Sequence, residues 1–371
     1  MTPGARAWYT ARVFIPDAIT VERGAEDAPM VRRCRERAPG VPLTVVGDRR
    51  EVMRALAGDF RAAKRHLVLA PRRGPFLEHC PGGTRGVACC SYLVLNLASN
   101  CPMDCQYCFL QEYLTHNAPL TAYVNPEAAL AEVAEILDRH PDRMFRIGTG
   151  ELADSLALDP LTGLSRDIVP FFAARSNVLL ELKTKTTAVD DLVGLDPRER
   201  VVVSWTLGPP ATVAMAEEGA PPIAARLAAA RRVVAAGYKI GVHLDPLIEH
   251  PGWEEGYRGL VAAIADAVPV ERLAWVSMGG LRLTPGLRAT VRERFPGTAL
   301  LAGEQVLMPD GKWRDFQPLR VRMYRRIRSW IEAAAPGVPV YLCMETPEVW
   351  AKVFGTPPLP DRALGALLAA R

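Results

Sequence analysis

The stretch SNCPMDCQYCFLQ (residues 99–111) sets three cysteines within eight positions, as Cys101-x3-Cys105-x2-Cys108, with Tyr107 and Phe109 on either side of the last. A structural zinc site takes four ligands, commonly two pairs of cysteine or histidine. Cys89 and Cys90 lie upstream, but two adjacent cysteines do not readily serve one tetrahedral ion. Three thiols in one loop suit three irons of a cubane 4Fe–4S cluster, with the fourth iron left open to a ligand. A zinc loop, or thiols with no shared role, is the competing reading.

The wider composition agrees with metal or catalytic thiols. Of eight cysteines, five fall between Cys80 and Cys105, and Cys108 stands just beyond. Such clustering does not resemble disulfides spread over a secreted scaffold. No secretory signal opens the chain, and no run of about 18 apolar residues offers a membrane span. These features lead us to expect a protein of the reducing cytoplasm with no membrane partner. With 371 residues and 49% hydrophobic content, the chain has material for a large core. The net charge of +4 comes from 45 basic and 41 acidic residues, so the placement of the arginines says more than their number.

Residues 1–90 read as a small α/β lobe, with short apolar runs (ARVFIP, PLTVVG, HLVLA) between charged helical stretches. The Pro, Gly and Arg-rich segment 70–86 reads as a link. From residue 91 to 345 the pattern becomes strand, loop, helix, repeated: YLVLNL, MFRIG, VLLELK, VVVSWTL, KIGVHLD, RLAWVS and VPVYLC. Asn125 and Pro126 open one intervening helix, with Leu130, Val133, Ala134 and Leu137 as its apolar stripe. Ile223, Leu227, Ala230 and Val234 mark another, closed by Gly237. Nearly continuous apolar strands alternating with amphipathic helices predict a parallel sheet, closed into a full or partial β/α barrel. A doubly wound open sheet is the alternative. In a barrel, chemistry sits in the loops after the strands, which is where the cysteine loop falls. Residues 346–371 read as a C-terminal tail.

The cysteine spacing resembles the signature of the radical S-adenosylmethionine (radical SAM) superfamily, in which an aromatic residue precedes the last cysteine. Tyr107 stands there and joins the candidate catalytic set. The resemblance implies a partial (β/α)6 barrel of TIM type, in which the open iron binds SAM and its reductive cleavage gives a 5′-deoxyadenosyl radical. It also implies an electron donor such as flavodoxin or ferredoxin. RIGTGE (146–151) resembles the superfamily's glycine-rich element, with Gly148, Gly150 and Glu151 toward the SAM ammonium. Lys183 or Lys185 offers a cation for the SAM carboxylate, and Ser204 a hydroxyl for the carboxylate or ribose. A surface lysine and an ordinary strand serine are the bland readings. His243 and Asp245, two apart on one strand, share a face; a buried, paired histidine is the preferred reading.

Over nearly its whole length the chain resembles the spore photoproduct lyase family, radical SAM enzymes that repair ultraviolet thymine lesions in DNA. NCPMDCQYCFLQ, YVNPEA, RLAAARRVVAAGYKIG and HPGWEEGY carry the resemblance, and it favours Lys185 over Lys183. Two departures stand out. The family's hydrogen-donating cysteine after the second barrel strand has no counterpart in GTGELADS (148–155). The tyrosine that follows the last cluster cysteine is here Phe109. Cys343, at the end of the last strand, is the candidate replacement donor, although a buried core cysteine is the commoner use of the residue.

The most basic region spans 305–330. Lys312, Trp313, Arg314, Arg320 and Arg322 are the candidate DNA contacts there, since cations suit phosphates and aromatics stack on bases. Asp310-Gly311 reads as a hairpin tip, and the family's DNA-contacting hairpin lies in this part of the chain. A solvated helix face is the alternative, with Arg328 and Glu332 spaced to pair. The expected function is radical SAM repair of a DNA photolesion. A radical SAM enzyme acting on another nucleotide, peptide or small molecule is the second reading. A non-catalytic, metal-stabilised nucleic-acid-binding protein is the third.

Overall fold

The apolar runs PLTVVG and HLVLA of the first lobe form parallel strands, whereas the strand that pairs with both follows the run ARVFIP rather than lying in it. The computed structural model describes residues 14–83 and 86–370. Residues 11–13 of the first apolar run and residues 84–85 of the link lie outside the described residues. β1 (Ala18–Glu22), β2 (Leu43–Val46) and β3 (His66–Ala70) pair in parallel in the order β2-β1-β3. The sheets do not divide at residue 90. β4 (Leu77–His79) pairs antiparallel with β5 (Leu93–Leu95), downstream of that point. β6 (Ala98–Ser99) directly precedes the cysteine loop, and β7 (Asp104–Cys105) lies within it. β8 (Leu120–Tyr123) and β6 then extend the lobe sheet to the order β2-β1-β3-β8-β6. The cause is the edge of β3: its residues 67–70 are fully buried, and a buried strand edge needs a hydrogen-bonding partner.

Downstream come β9 (Phe145–Gly148), β10 (Val178–Thr184), β11 (Val201–Thr206), the two-residue β12 (Glu217–Glu218), β13 (Lys239–Leu247) and β14 (Leu273–Gly280). They are followed by β15 (Arg282–Leu283), β16 (Gln305–Leu307) and β17 (Trp313–Asp315), which form a small antiparallel sheet, and by β18 (Val340–Leu342). The large sheet has the order β4-β5-β9-β10-β11-β13-β14-β18, and every pairing but β4–β5 is parallel. The strands step in chain order without reversal. A doubly wound sheet reverses partway, so this is the singly wound arrangement of a β/α barrel. It curls as a partial barrel, with β4 and β18 as its edges.

β11 is buried at all six positions, as expected of a strand covered on both faces. Trp205, Trp275, Tyr238 and Tyr257 are among the largest wholly buried side chains. The helix Pro126–Arg139 buries Ala129, Val133 and Leu137, a face rotated slightly from the predicted stripe. Asn125 holds the first position before it, but its side chain is spent elsewhere. It accepts from the Arg72 amide (2.9 Å) and donates to the Arg72 carbonyl (3.1 Å), tying the link to the helix start. Helices Pro347–Phe354 and Asp361–Ala369 pack the C-terminal residues onto the barrel, burying Val349, Leu364 and Leu368. Among the described residues, no helix is long and apolar enough to cross a membrane.

Candidate active site

The cysteine loop is fixed from three sides. Asn100 takes a left-handed conformation (φ +66), which asparagine tolerates, and its side-chain oxygen accepts from the Cys101 amide at 2.8 Å. β7 pairs antiparallel with β12, setting Cys105 opposite Glu217. The Cys108 amide turns back to the Cys105 carbonyl (3.1 Å), and the Gln111 side chain donates to the carbonyls of Cys105, Gln106 and Cys108. From the lobe, Lys64 donates to the carbonyls of Cys101 (3.0 Å) and Met103. Cys101, Cys105 and Cys108 all line one cavity of about 770 Å³. Among the described residues, no three histidine, cysteine or acidic side chains converge on the position of a single metal ion. A cubane is held by thiolates spread around its corners, and three thiols ranged along one wall of a roomy cavity fit that group.

Tyr107, at half depth in this wall, donates from its hydroxyl to Glu217. The other oxygen of Glu217 stands 2.5 Å from the guanidinium of Arg226, which is wholly buried and also donates to the carbonyls of Pro221 and Thr206. Lys185 completes the group, 4.0 Å from Glu217 and 5.5 Å from the Tyr107 ring centre. Burial would raise the Glu217 carboxyl, but Lys185 and then Arg226 hold it below its ordinary value. Glu217 carries no motif, and Arg226, although it opens the stretch RLAAARRVVAAGYKIG, had no role assigned from the sequence alone.

The strand ends supply the next wall. Gly150 lines the cavity, and a Cβ there would lie 2.6 Å from Cβ of Lys183. Glu151 and Lys183 form an ion pair of 3.1 Å at the same edge. Asp154, also missed, accepts from the amides of Leu156, Ala157 and Lys185 and from the Thr184 hydroxyl, and so fixes the backbone that presents Lys185. Two expected ligand contacts lie deeper. Gly148 does not line the cavity; it makes room for Tyr92, whose hydroxyl would sit 1.7 Å from an added Cβ. Ser204 is buried beside Gly241 and Trp275, and Thr206 is the β11 residue that reaches the cavity.

On the opposite side, Asp245 and Arg282 make a two-pronged ion pair (2.8 Å each). His243 is the buried, paired histidine expected, 2.6 Å from Glu181. Cys343 follows β18; its carbonyl accepts from Arg282 at 3.3 Å. Burial, reinforced by Asp245, pushes its thiol well above the ordinary value. The residue that lines the cavity there is its neighbour Met344, held at φ +56. Phe109 and Ala153 also line the cavity.

The basic segment divides. β16 and β17 form the expected hairpin, with Gly311 at φ +77 and with Val306, Leu307 and Phe316 exposed. Lys312 reaches the cavity edge, with no ion pair among the described residues, and burial and Arg282 lower its affinity for a proton. Trp313 is half-buried, 4.3 Å from the Arg288 guanidinium. Arg314 and Arg320 correct the expectation of DNA contacts. Arg314 is buried against Asp310 (2.7 Å) and Arg320 against Glu345 (2.9 Å), so neither offers its charge to a phosphate. Arg322 is exposed, but it lies 5.5 Å from the Trp253 ring, on a helix face rather than the hairpin. Arg328 and Glu332 pair along the helix at 2.6 Å. Alanine at Arg320 strands a buried carboxylate, so it should lower stability by about 3–5 kcal/mol in denaturant unfolding.

A partial, singly wound β/α barrel with a three-cysteine loop beyond its first strand defines a radical SAM enzyme. The family model described as spore photoproduct lyase matches residues 14–316, and the chain belongs to that family. The spore photoproduct lyase of Geobacillus sp. (strain Y412MC61) is 26% identical over 298 residues, covering 77% of this chain and 84% of the relative. That of Bacillus subtilis (strain 168) is 23% identical over 302 residues, covering 79% and 86%. The solved structure of a doubly substituted spore photoproduct lyase with bound AdoMet and dinucleoside spore photoproduct superposes with a TM-score of 0.78 at 23% identity. That match covers 89% of this chain and 99% of the other. A spore photoproduct lyase complexed with dinucleoside spore photoproduct gives 0.78 at 24% identity, with the same coverage. These likenesses establish the fold.

Proposed function

We propose that this enzyme holds a 4Fe–4S cluster through Cys101, Cys105 and Cys108, binds SAM beside it, and acts on a pyrimidine photolesion in DNA. The observation that carries this reading is convergence. The three thiols, Gly150, Glu151 and Lys185 border one cavity of about 770 Å³, within the range of about 300–1,000 Å³ usual for small-molecule sites. The relatives' bound AdoMet and dinucleoside spore photoproduct support the same pair of ligands here. The cluster, when bound, would supply the electron for reductive cleavage of SAM to methionine and a 5′-deoxyadenosyl radical. Lys185, aimed by Asp154, meets the SAM carboxylate, and Gly150 lets the backbone approach the ammonium. Lys312, unpaired at the mouth, is the cation placed for a lesion phosphate. An acidic electron carrier of the flavodoxin or ferredoxin kind supplies the reductant.

The deciding experiment incubates anaerobically reconstituted protein with SAM, reductant and ultraviolet-irradiated DNA. Loss of the lesion with formation of 5′-deoxyadenosine supports the reading. SAM cleavage that leaves every lesion intact overturns it, in favour of a different substrate. One observation favours that second reading: Phe109, on the cavity wall, has no O–H hydrogen to give, and GTGELADS (148–155) holds no cysteine.

Cys343 is the proposed substitute donor. A hydrogen atom leaves from the neutral thiol, and burial keeps Cys343 in that form. Cys343→Ala is expected to leave 5′-deoxyadenosine formation intact and to cut repaired product tenfold or more, a change of about 1.4 kcal/mol in barrier. Unchanged product yield rules the role out.

A further inference from the structure

Beneath the cavity runs a chain of charge that the proposed chemistry does not use. Arg146 on β9 is 4% exposed, with its guanidinium 4.3 Å from the Trp275 ring centre and 5.0 Å from that of Tyr92. It pairs with one oxygen of Glu181 on β10 at 2.6 Å. The other oxygen of Glu181 lies 2.6 Å from His243 Nε2 on β13. A buried ion pair adds little net stability over apolar packing of the same volume, so its effect on the histidine is the more informative property.

That effect follows from donor and acceptor counting. A carboxylate held ionised by an adjoining guanidinium only accepts, so His243 Nε2 donates. In a neutral imidazole the proton on Nε2 leaves a lone pair on Nδ1. Among the described residues Nδ1 has no hydrogen-bond partner, and it is not among the sealed polar atoms, while His243 itself lines the cavity. The charged groups around it are committed to each other: Lys183 to Glu151, Arg282 to Asp245, and Lys185 to Glu217. His243 therefore presents an uncharged acceptor beside these three ion pairs.

We propose that His243, locked as its Nε2–H tautomer by the Arg146–Glu181 pair, accepts through Nδ1 a hydrogen bond from an N–H or O–H of a ligand bound in the cavity. Two ligands carry such donors, the imide N–H of a pyrimidine lesion and the ribose hydroxyls of SAM. The lesion branch rests on the function proposed above; the SAM branch does not. Arg146 and Glu181 are then positioning residues.

A pH dependence follows. The charges facing the imidazole are Glu181 and Lys183 from β10, Arg146 from β9 and Asp245 from its own strand. Burial favours the neutral ring, and Glu181 opposes this only in part, so the ring stays neutral at and above its ordinary pKa. Protonation at lower pH turns Nδ1 into a donor and removes the acceptor.

The test measures dissociation constants of SAM and of a dinucleoside photolesion on cluster-loaded protein from pH 5 to 8. The proteins compared are the wild type, His243→Leu and His243→Asn. Both variants lose the bond to Glu181 equally, but the asparagine oxygen reaches the neighbourhood of Nδ1 and restores an acceptor. Expected is a loss of about tenfold for one of the two ligands in the leucine variant, largely recovered in the asparagine variant. The wild type should also weaken for that ligand as pH falls below the ordinary imidazole value, and the asparagine variant should not. Unchanged constants for both ligands in the leucine variant overturn the proposal. So do equal losses in both variants, which mark a structural role. If the wild type does not bind the lesion at all, the function proposed above fails, and the SAM constants alone decide the role of His243.

Discussion

Cys105→Ala yields a folded protein that no longer retains iron and no longer makes 5′-deoxyadenosine. The backbone at this position is secured independently of the thiol. β7 pairs with β12, the Gln111 amide spans three carbonyls of the loop, and Lys64 holds the loop from behind. Removing one sulfur from a wall already packed by Met103 and Ala157 costs about 1 kcal/mol of stability. The chemical loss is of another order. Three thiols that hold one cluster act as a unit, and members of a unit are not additive. Each single alanine at 101, 105 or 108 should lower SAM cleavage by ~10³-fold or more, and the triple variant should be no worse than any single one. Iron and sulfide content, the visible absorption of the reconstituted protein and the yield of 5′-deoxyadenosine measure this. A Cys105→Ala protein that keeps its iron and cleaves SAM removes the loop from the proposed site.

The strands and the cysteine loop were legible because each is written locally. Parallel strands covered on both faces read as unbroken apolar runs, and β9, β10, β11, β13 and β14 fall on the segments so identified. Depth along the barrel was not legible. Period-two alternation tells which residues share a face, but Gly148 and Gly150, or Ser204 and Thr206, share a face and lie in different layers. In each pair only the later residue reaches the cavity. The partner of β3 was not legible for a related reason: the pairing of β8 with β3 joins residues about fifty positions apart, and nothing local announces it.

Charge was the least legible property. In the basic segment, arginines bound for the surface and arginines bound for the core look alike until their partners are known. Arg320 finds Glu345 25 residues later, whereas Lys312 forms no ion pair among the described residues and reaches the cavity edge. Asp154, Glu217 and Arg226 were overlooked because the Lys185 amide, Tyr107 and the Thr206 carbonyl that they hold lie far from them in sequence, and no spacing rule selects them. The Arg146–Glu181–His243 chain spans three strands in the same way.

Glu217→Gln is expected to lower stability as much as alanine at Arg320, and to reach the cysteine loop as well. Arg226 is wholly buried and Glu217 is its only ionic partner among the described residues, so the amide leaves a buried guanidinium without a counter-charge. The cost of such a loss is about 3–5 kcal/mol. The cysteine loop shares it, since Tyr107 loses a charged acceptor and Lys185 its nearest carboxylate, while the backbone pairing of Cys105 with residue 217 survives. Lower stability should therefore appear together with weaker cluster retention, although no cluster ligand has changed. The pH dependence separates charge from shape. In the wild type the folded-state carboxyl lies below its ordinary value, because Lys185 and Arg226 outweigh burial. Its contribution is complete above the unfolded-state pKa near 4.3 and is lost as pH falls through the lower, folded value. The gap between wild type and Glu217→Gln should thus be widest at neutral pH and should narrow below about pH 4 in denaturant unfolding. A gap that stays constant down to that pH would mean that the amide acts through its shape, and that Arg226 is stabilised by the carbonyls of Pro221 and Thr206 rather than by the charge of Glu217.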